Sequence, residues 1–229
     1  MEQFSRNILL FGEENQKKLF NSTILLFGVG GVGSYTFEAL VRAGIGKLII
    51  VDFDKVDITN INRQLIATHQ TIGQNKVDVA LKRGLDINPN VIIETYNLKV
   101  DENNINNINF SNVNYIIDAV DDVNAKIAII KKAINLNIPI ISSMGTGNKL
   151  DPTKLILTDI VKTSNCPLAR VMRKKLRDIG INHLPVLFST EIPTKEYNPT
   201  NIVASISFVP STGGLLIASK VVNDIIKRD

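Results

Sequence analysis

The sequence has little with which to staple itself or hold a metal. Its 229 residues include one cysteine, Cys166, and two histidines, His69 and His183. One cysteine cannot close an intrachain disulfide or build a cysteine-based zinc cage, and it points to a reducing, cytoplasmic compartment. Neither histidine lies in a metal-ligand spacing. No apolar run approaches the roughly 18–20 residues of a spanning helix. Met1–Asn7 carries Glu2 and Arg6 where a signal peptide would have an apolar core, so no membrane partner is expected. Repeats, Gly/Ser linkers and charge blocks are also missing, and the chain reads as a single domain spanning 1–229. With 44% hydrophobic and 21% charged residues it is neither disordered, collagenous nor a coiled coil. A chain of this size buries roughly 70% of the surface its unfolded form exposes, so no staple is needed. Its net charge of +4 permits an anionic partner without demanding one.

Short β-branched runs alternate with longer stretches of helical period. Strands are expected at Ser22–Phe27, Lys47–Val51, Val91–Tyr96, Val113–Ala119 and Pro139–Ser143. Helices are expected at Val32–Ala43, Asn75–Leu85 and Val123–Leu136. Near-continuous apolar strands separated by helices predict an α/β fold of Rossmann-like, doubly wound type with a mostly parallel sheet. Beyond residue 145 the pattern changes. Strands are expected at Leu155–Ile160, Leu184–Ser189 and Ser205–Val209, a basic helix at Pro167–Ile179 and a last helix at Gly213–Lys227. These predict a C-terminal extension of the sheet by antiparallel strands over about 146–229. Thr190–Asn201, with two prolines, reads as a mobile loop, and the Asn-rich stretch Asn103–Asn114 as a polar loop or short helix.

The half at about 20–145 carries the chemistry. Gly28-Val29-Gly30-Gly31-Val32-Gly33 lies between the first strand and its helix, and Asp52 ends the next strand. Glycines let a backbone approach phosphate closely, a helix N-terminus offers free N–H groups, and a carboxylate at that distance suits ribose hydroxyls. Gly28, Gly30, Gly31, Gly33 and Asp52 are therefore candidate nucleotide ligands. The glycine motif by itself does not separate NAD from ATP. Asp54, Thr59-Asn60-Ile61-Asn62-Arg63-Gln64, Lys76 and Asp118-Ala119-Val120-Asp121-Asp122 follow. Arg63 and Lys76 could neutralise a triphosphate, and Asp121 could hold Mg2+ through oxygen. Hydride transfer would need none of these. Taken singly, each has an ordinary alternative: a solvated helix charge for Arg63 or Lys76, a helix cap for Asp121.

In combination, Gly28–Gly33, Asp52, Asp54, Thr59–Gln64, Lys76 and Asp118–Asp121 resemble the adenylating domain of the ubiquitin-activating, ThiF-like superfamily, which uses ATP to adenylate a carboxylate. The resemblance implies nucleotide contacts from Asp54, Asn60, Arg63, Gln64, Lys76 and Asp121, with Arg63, Lys76 and Asp121 as the catalytic group. Phe4-Ser5-Arg6-Asn7 resembles the superfamily's opening motif and implies a homodimer in which Arg6 reaches the ATP of the other subunit. The alternative for Arg6 is a surface arginine on a short helix. Activators of sulfur-carrier proteins typically carry two Cys-x-x-Cys pairs, which are missing here. The distal segments Ile141–Pro152, Pro167–Arg173 and Ser205–Ser211 instead resemble the tRNA threonylcarbamoyladenosine dehydratases. That branch implies ATP-dependent cyclisation of a modified adenosine beside the anticodon. A sulfur-transfer protein stays open as a further partner.

Two features stand apart from the nucleotide motifs. Arg170, Arg173, Lys174, Lys175 and Arg177 share one expected helix and are candidates for tRNA phosphate, with Lys149, Lys154 and Lys162 extending the patch; the alternative is a solvated helix face. Cys166, at an expected helix start, could be an activated thiol or a structural one.

Overall fold

A strand buried on both faces must satisfy its amides within the sheet, so each apolar run finds a ladder partner. The computed structural model describes residues 2–194, 196, 200 and 202–227. Strands β1 (Thr23–Phe27), β2 (Lys47–Val51), β3 (Ile92–Tyr96), β4 (Tyr115–Asp118) and β5 (Ile140–Ser143) pair in parallel. β6 (Leu155–Asp159) and β7 (Pro185–Ser189) pair antiparallel, while β7 runs parallel to β5. The order across the seven-stranded sheet is β3-β2-β1-β4-β5-β7-β6. It is the expected doubly wound α/β sheet with its C-terminal antiparallel extension.

The helices are α1 (Ser5–Phe11), α2 (Glu13–Phe20), α3 (Gly33–Ala43), α4 (Lys76–Ile87), α5 (Val123–Asn135), α6 (Pro167–Asp178) and α7 (Phe208–Ile226). None among the described residues is long and apolar enough to cross a membrane. β1 shows how the layers form. Ile24 and Leu26 join one core with Phe37, Leu40, Val77, Ile217 and Val221, from α3, α4 and α7. Leu25 and Phe27 join the opposite core with Ile129, Ile130, Met172 and Leu176, from α5 and α6. The chain leaves β1 toward β2 on one side and later returns as β4 on the other. Such a reversal opens a crevice at the carboxyl ends of the strands, where ligands of this fold type bind.

One sequence expectation and one alternative reading need correction. Ser205–Val209 is not a strand: Phe208 and Val209 open α7, which starts five residues before Gly213. Pro210 lies in its first turn, where a missing N–H removes no helical hydrogen bond, and a short apolar run alone does not separate strand from helix. The cap of α5 is Asp122, whose carboxylate accepts from Ala125 N at 2.8 Å; Asp121 is not the cap. The N-terminal segment, for which no element beyond a short helix at Arg6 is expected, forms α1 and α2. Thr190–Asn201 contains no helix or strand in its described residues; Lys195, Tyr197, Asn198, Pro199 and Asn201 lie outside them.

α7 packs directly on α3. A Cβ added at Gly214 would sit 2.4 Å from Val32 O and 2.9 Å from Tyr35 Cβ, and Thr36 Oγ1 donates to Gly214 O at 3.0 Å. Gly214→Ala should therefore cost about 1–3 kcal/mol, as overpacking of a tight contact does. A urea midpoint equal to that of the unmodified protein would refute this contact.

Candidate active site

The glycine loop sits in the crevice between β1 and β4. Gly28 has φ +87°, and a Cβ there would lie 2.7 Å from Ala119 O. At Gly33, the first residue of α3, a Cβ would lie 1.9 Å from Gly28 O. These two glycines let the loop fold back on itself and on the turn after β4. Gly30 differs, for a Cβ there would meet only Gln64 Nε2, at 3.9 Å. Its glycine leaves backbone open to an incoming ligand. At Gly31 a Cβ would lie 3.2 Å from Pro210 of α7 and 3.6 Å from the stem of Arg63.

Asp52 locks the loop to the neighbouring strand. Its Oδ2 accepts from Val29 N at 2.6 Å and its Oδ1 from Asp54 N at 2.9 Å. Burial pushes its carboxyl above the ordinary range, opposed by the Lys76 charge and by these two amides. Each oxygen keeps a lone pair for a further donor such as a ribose hydroxyl. Lys76 opens α4 with its side chain buried, and its Nζ donates to Asp54 Oδ2 at 2.7 Å. Asp54 is half exposed, so the pair reaches from the interior to solvent.

The segment Thr59–Gln64 forms the next wall. Asn60 is buried, and its Oδ1 accepts from Asp57 N at 3.1 Å, so part of this expected ligand is engaged in shaping its own turn. Arg63 Nη1 donates to Thr59 O at 2.8 Å and Asn62 Oδ1 at 3.0 Å, which holds its stem over Gly31. Gln64 is buried beside Gly30, and its Oε1 has no hydrogen-bond partner. A buried acceptor left unpaired costs about 1–3 kcal/mol, which a ligand donor would recover.

The turn after β4 completes the cradle. Ala119 N donates to Phe27 O at 2.8 Å, bringing the turn onto Gly28. Asp121 is exposed there. No group of three or more His, Cys, Asp or Glu among the described residues is placed to hold a metal. A single exposed carboxylate does suit Mg2+, which keeps several waters and takes one or two carboxylates plus substrate phosphates. Beneath the turn lies a residue absent from the sequence-based set. Lys126 is fully buried and pairs with Asp118 at 3.0 Å. Its signal was available: Lys126 falls on the apolar stripe of α5 with Ile129, Ile130 and Ala133, where an unpaired charge would be prohibitive.

Other candidates lie elsewhere. Arg6 is exposed on α1, and its neighbour Asn7 donates from Nδ2 to Ala43 O at the C-terminal end of α3. The glycine loop is at the other end of that 11-residue helix, about 16 Å away by helical rise. On α6, Arg170, Lys174 and Arg177 line an open cavity of about 430 Å³ with Ile160, Val161, Ile181 and Asn182. Lys175 is exposed outside that lining. Arg173 also borders the cavity, but its Nη1 is held by Thr163 O, at 2.7 Å, and by Thr163 Oγ1. Lys149 is not part of a surface patch: it is buried, donates to Ser189 O at 3.0 Å, and desolvation pushes its pKa down. Lys154 and Lys162 are exposed. Cys166 is buried and caps α6, its Sγ accepting from Ala169 N at 3.5 Å.

Comparison with known proteins adds a second line. The ThiF family model matches residues 4–228. The chain is 42% identical to a tRNA threonylcarbamoyladenosine dehydratase of Bacillus subtilis (strain 168), over 99% of this chain and 96% of that one. Among solved structures, the Escherichia coli tRNA N6-threonylcarbamoyladenosine dehydratase TcdA in complex with AMP matches with a TM-score of 0.93 and 31% identity, covering 98% of this chain and 94% of that one. The same enzyme in complex with ATP matches with a TM-score of 0.91 and 30% identity, over the same shares.

Cys166 is buried with its Sγ at the cap of α6, which shields the thiol from reagents in solution. In the folded protein it should react with an aromatic disulfide reagent far more slowly than after denaturation in urea, because attack needs an exposed thiolate. Equal rates in the two states would return Cys166 to the candidate nucleophiles.

Proposed function

The chain belongs to the ThiF family, and from that membership we propose that it works as an ATP-dependent tRNA threonylcarbamoyladenosine dehydratase built as one adenylating domain. The observation that carries this is a nucleotide cradle at the switch point of the sheet, inside a chain alike to dehydratases over its whole length, distal half included. The reaction is assigned to the cytoplasm, the compartment of its tRNA substrate.

The free carboxylate of the modified adenosine is a poor electrophile. One of its oxygens attacks the α-phosphate of ATP, the bond to the β-phosphate breaks and pyrophosphate leaves. A nucleophilic atom of the same side chain then attacks the activated carbonyl, loses its proton and closes a ring as AMP departs with the carboxyl oxygen. Water is lost overall. Because the attack is intramolecular, geometry supplies much of the barrier reduction and no enzyme nucleophile is required. This suits a chain whose one thiol is buried as a helix cap.

The cradle residues have separate tasks. Gly30 admits the phosphates to the backbone, Asp52 takes the ribose, and Gln64 Oε1 accepts from a nucleotide donor. Lys76 and Arg63 neutralise charge developing at the α-phosphate, with Asp54 holding the Lys76 ammonium in place until ATP arrives. Asp121 would hold Mg2+, and the ion supplies charge neutralisation at the phosphates. On the far side of the sheet, Arg170, Lys174 and Arg177 of α6 take tRNA phosphates, which position the substrate without reading its sequence. The functional unit is a homodimer. Arg6 lies a helix length from its own glycine loop and next to the exposed Leu9 and Leu10, so it completes the site of a second copy.

Nucleosides from tRNA that carries threonylcarbamoyladenosine, incubated with the protein and ATP, should show that nucleoside losing one water by mass spectrometry. Lys76→Ala and Arg63→Ala should each slow AMP release by about 10²–10³-fold, as loss of one preorganised donor does. Unchanged tRNA nucleosides, or unchanged AMP release in both variants, would overturn the assignment.

Mixing provides a test of the shared site. Arg6→Ala and Lys76→Ala subunits should each be impaired alone, yet mixed heterodimers should regain part of the activity. One site in each then receives an intact Arg6 and keeps its own Lys76. Heterodimers that form without any rescue would rule out delivery of Arg6 between subunits.

A further inference from the structure

Charge buried beneath the site is arranged as a junction. Lys126 of α5 is fully buried, and its three ammonium hydrogens each have an acceptor: Asp118 Oδ2 at 3.0 Å, Ser142 Oγ at 3.1 Å and Ser143 O at 2.7 Å. Ser142 Oγ donates in turn to Asp118 Oδ2. The other oxygen of Asp118 accepts from Val120 N at 3.3 Å, inside the turn that carries Asp121. Asp122 fixes the far end of that turn by capping α5. Ser143 ends β5 and leads into Met144, Gly145 and Gly147, the segment that resembles the dehydratase branch. One ammonium group thus ties the last residue of β4, the last two of β5 and the first turns of α5.

Stability does not account for such a group. A buried ion pair is worth little over an apolar pair of the same volume, since desolvation consumes most of the attraction. What an apolar pair cannot do is specify direction, because dispersion contacts tolerate small rotations that three divergent hydrogen bonds do not. Resting on the adenylating function above, we infer that Lys126, with Asp118 and Ser142, is a positioning residue: it sets the turn bearing Asp121 against the Ser143–Gly147 segment, so that nucleotide and substrate carboxylate meet in line. Lys126, Asp118 and Ser142 are fully buried, so the network acts on bound groups only through the turn and the segment that it holds. Its effect is on the alignment of bound groups and not on their affinity.

The test uses the whole 229-residue chain in three variants. Lys126→Met combined with Asp118→Asn removes both charges together, so no lone charge is left buried. Ser142→Ala removes one leg and leaves the ion pair. The double variant should lower kcat for AMP release by about 10²-fold, the scale of a 1 Å misplacement. Ser142→Ala should lower it by a smaller factor, and in both the dissociation constant for ATP should stay close to that of wild type. Amide exchange at Val120–Asp122 should accelerate by about tenfold while amides in β1 do not change, a local loosening readable without turnover. Ser142→Thr, which keeps the hydroxyl, should have a kcat close to that of wild type. A folded double variant with wild-type kcat and unchanged exchange would overturn the inference. If the double variant does not fold, wild-type kcat and exchange in Ser142→Ala would do the same. Wild-type protein that releases no pyrophosphate would overturn the adenylating function itself, while the exchange data still report on the clamp.

Discussion

Everything in the site depends on how closely three pieces of backbone approach at the ends of β1 and β4. The first residue of α3 lies so near Gly28 that a methyl group at Gly33 would sit 1.9 Å from its carbonyl oxygen, and Gly28 itself lies under Ala119. That approach brings the helix N-terminus, the glycine loop and the turn of Asp121 into one concave surface. It also points the N-terminal end of α3, and with it the positive end of the helix dipole, at that surface, which favours an anion there. Side chains contribute by being absent there. Gly30 is the exception, for a Cβ there would meet only Gln64 Nε2, at 3.9 Å.

Around this backbone the polar groups are arranged in pairs that work at different depths. Asp52 uses its carboxylate mostly on backbone amides and is pushed toward its neutral form by burial. Lys76 and Asp54 form a pair that is buried at one end and wet at the other. Lys126 and Asp118 are wholly buried. The gradient has a physical use. In the proposed role for Lys76, a charge that is to meet phosphate must be able to leave its resting partner, which a half-exposed carboxylate permits. A charge that sets geometry must not leave, and full burial with three acceptors prevents it.

The distal half closes this arrangement from outside. α7 lies across α3 with Gly214 at the crossing, and Pro210 at its start rests on Gly31. Asn62 Nδ2 donates to Ser205 O at 3.0 Å, tying the Arg63 segment to the approach of α7. The left-handed Asn148 binds the chain before α7 through Ala204, donating its N–H to Ala204 O at 2.7 Å and accepting from Ala204 N at 2.9 Å. The C-terminal part is therefore continuous with the nucleotide half and forms one wall of it.

Much of this was legible in one dimension. The order of strands and helices from β1 through β7, the antiparallel C-terminal extension, the glycine loop, Asp52, Lys76 and the acidic turn all follow from local pattern, because buried parallel strands are continuously apolar and phosphate loops need glycine at fixed offsets. Tertiary structure alone decided the rest. It turned Phe208–Val209 from an expected strand into the start of α7, moved the α5 cap from Asp121 to Asp122, and took Lys149 and Cys166 out of solvent. It also placed Arg6 at the wrong end of α3 for its own site and put Lys126 against Asp118. Each of these depends on which segments meet across the sheet. A sequence shows that a lysine shares an apolar stripe, but only the packed fold supplies the carboxylate that makes its burial tolerable.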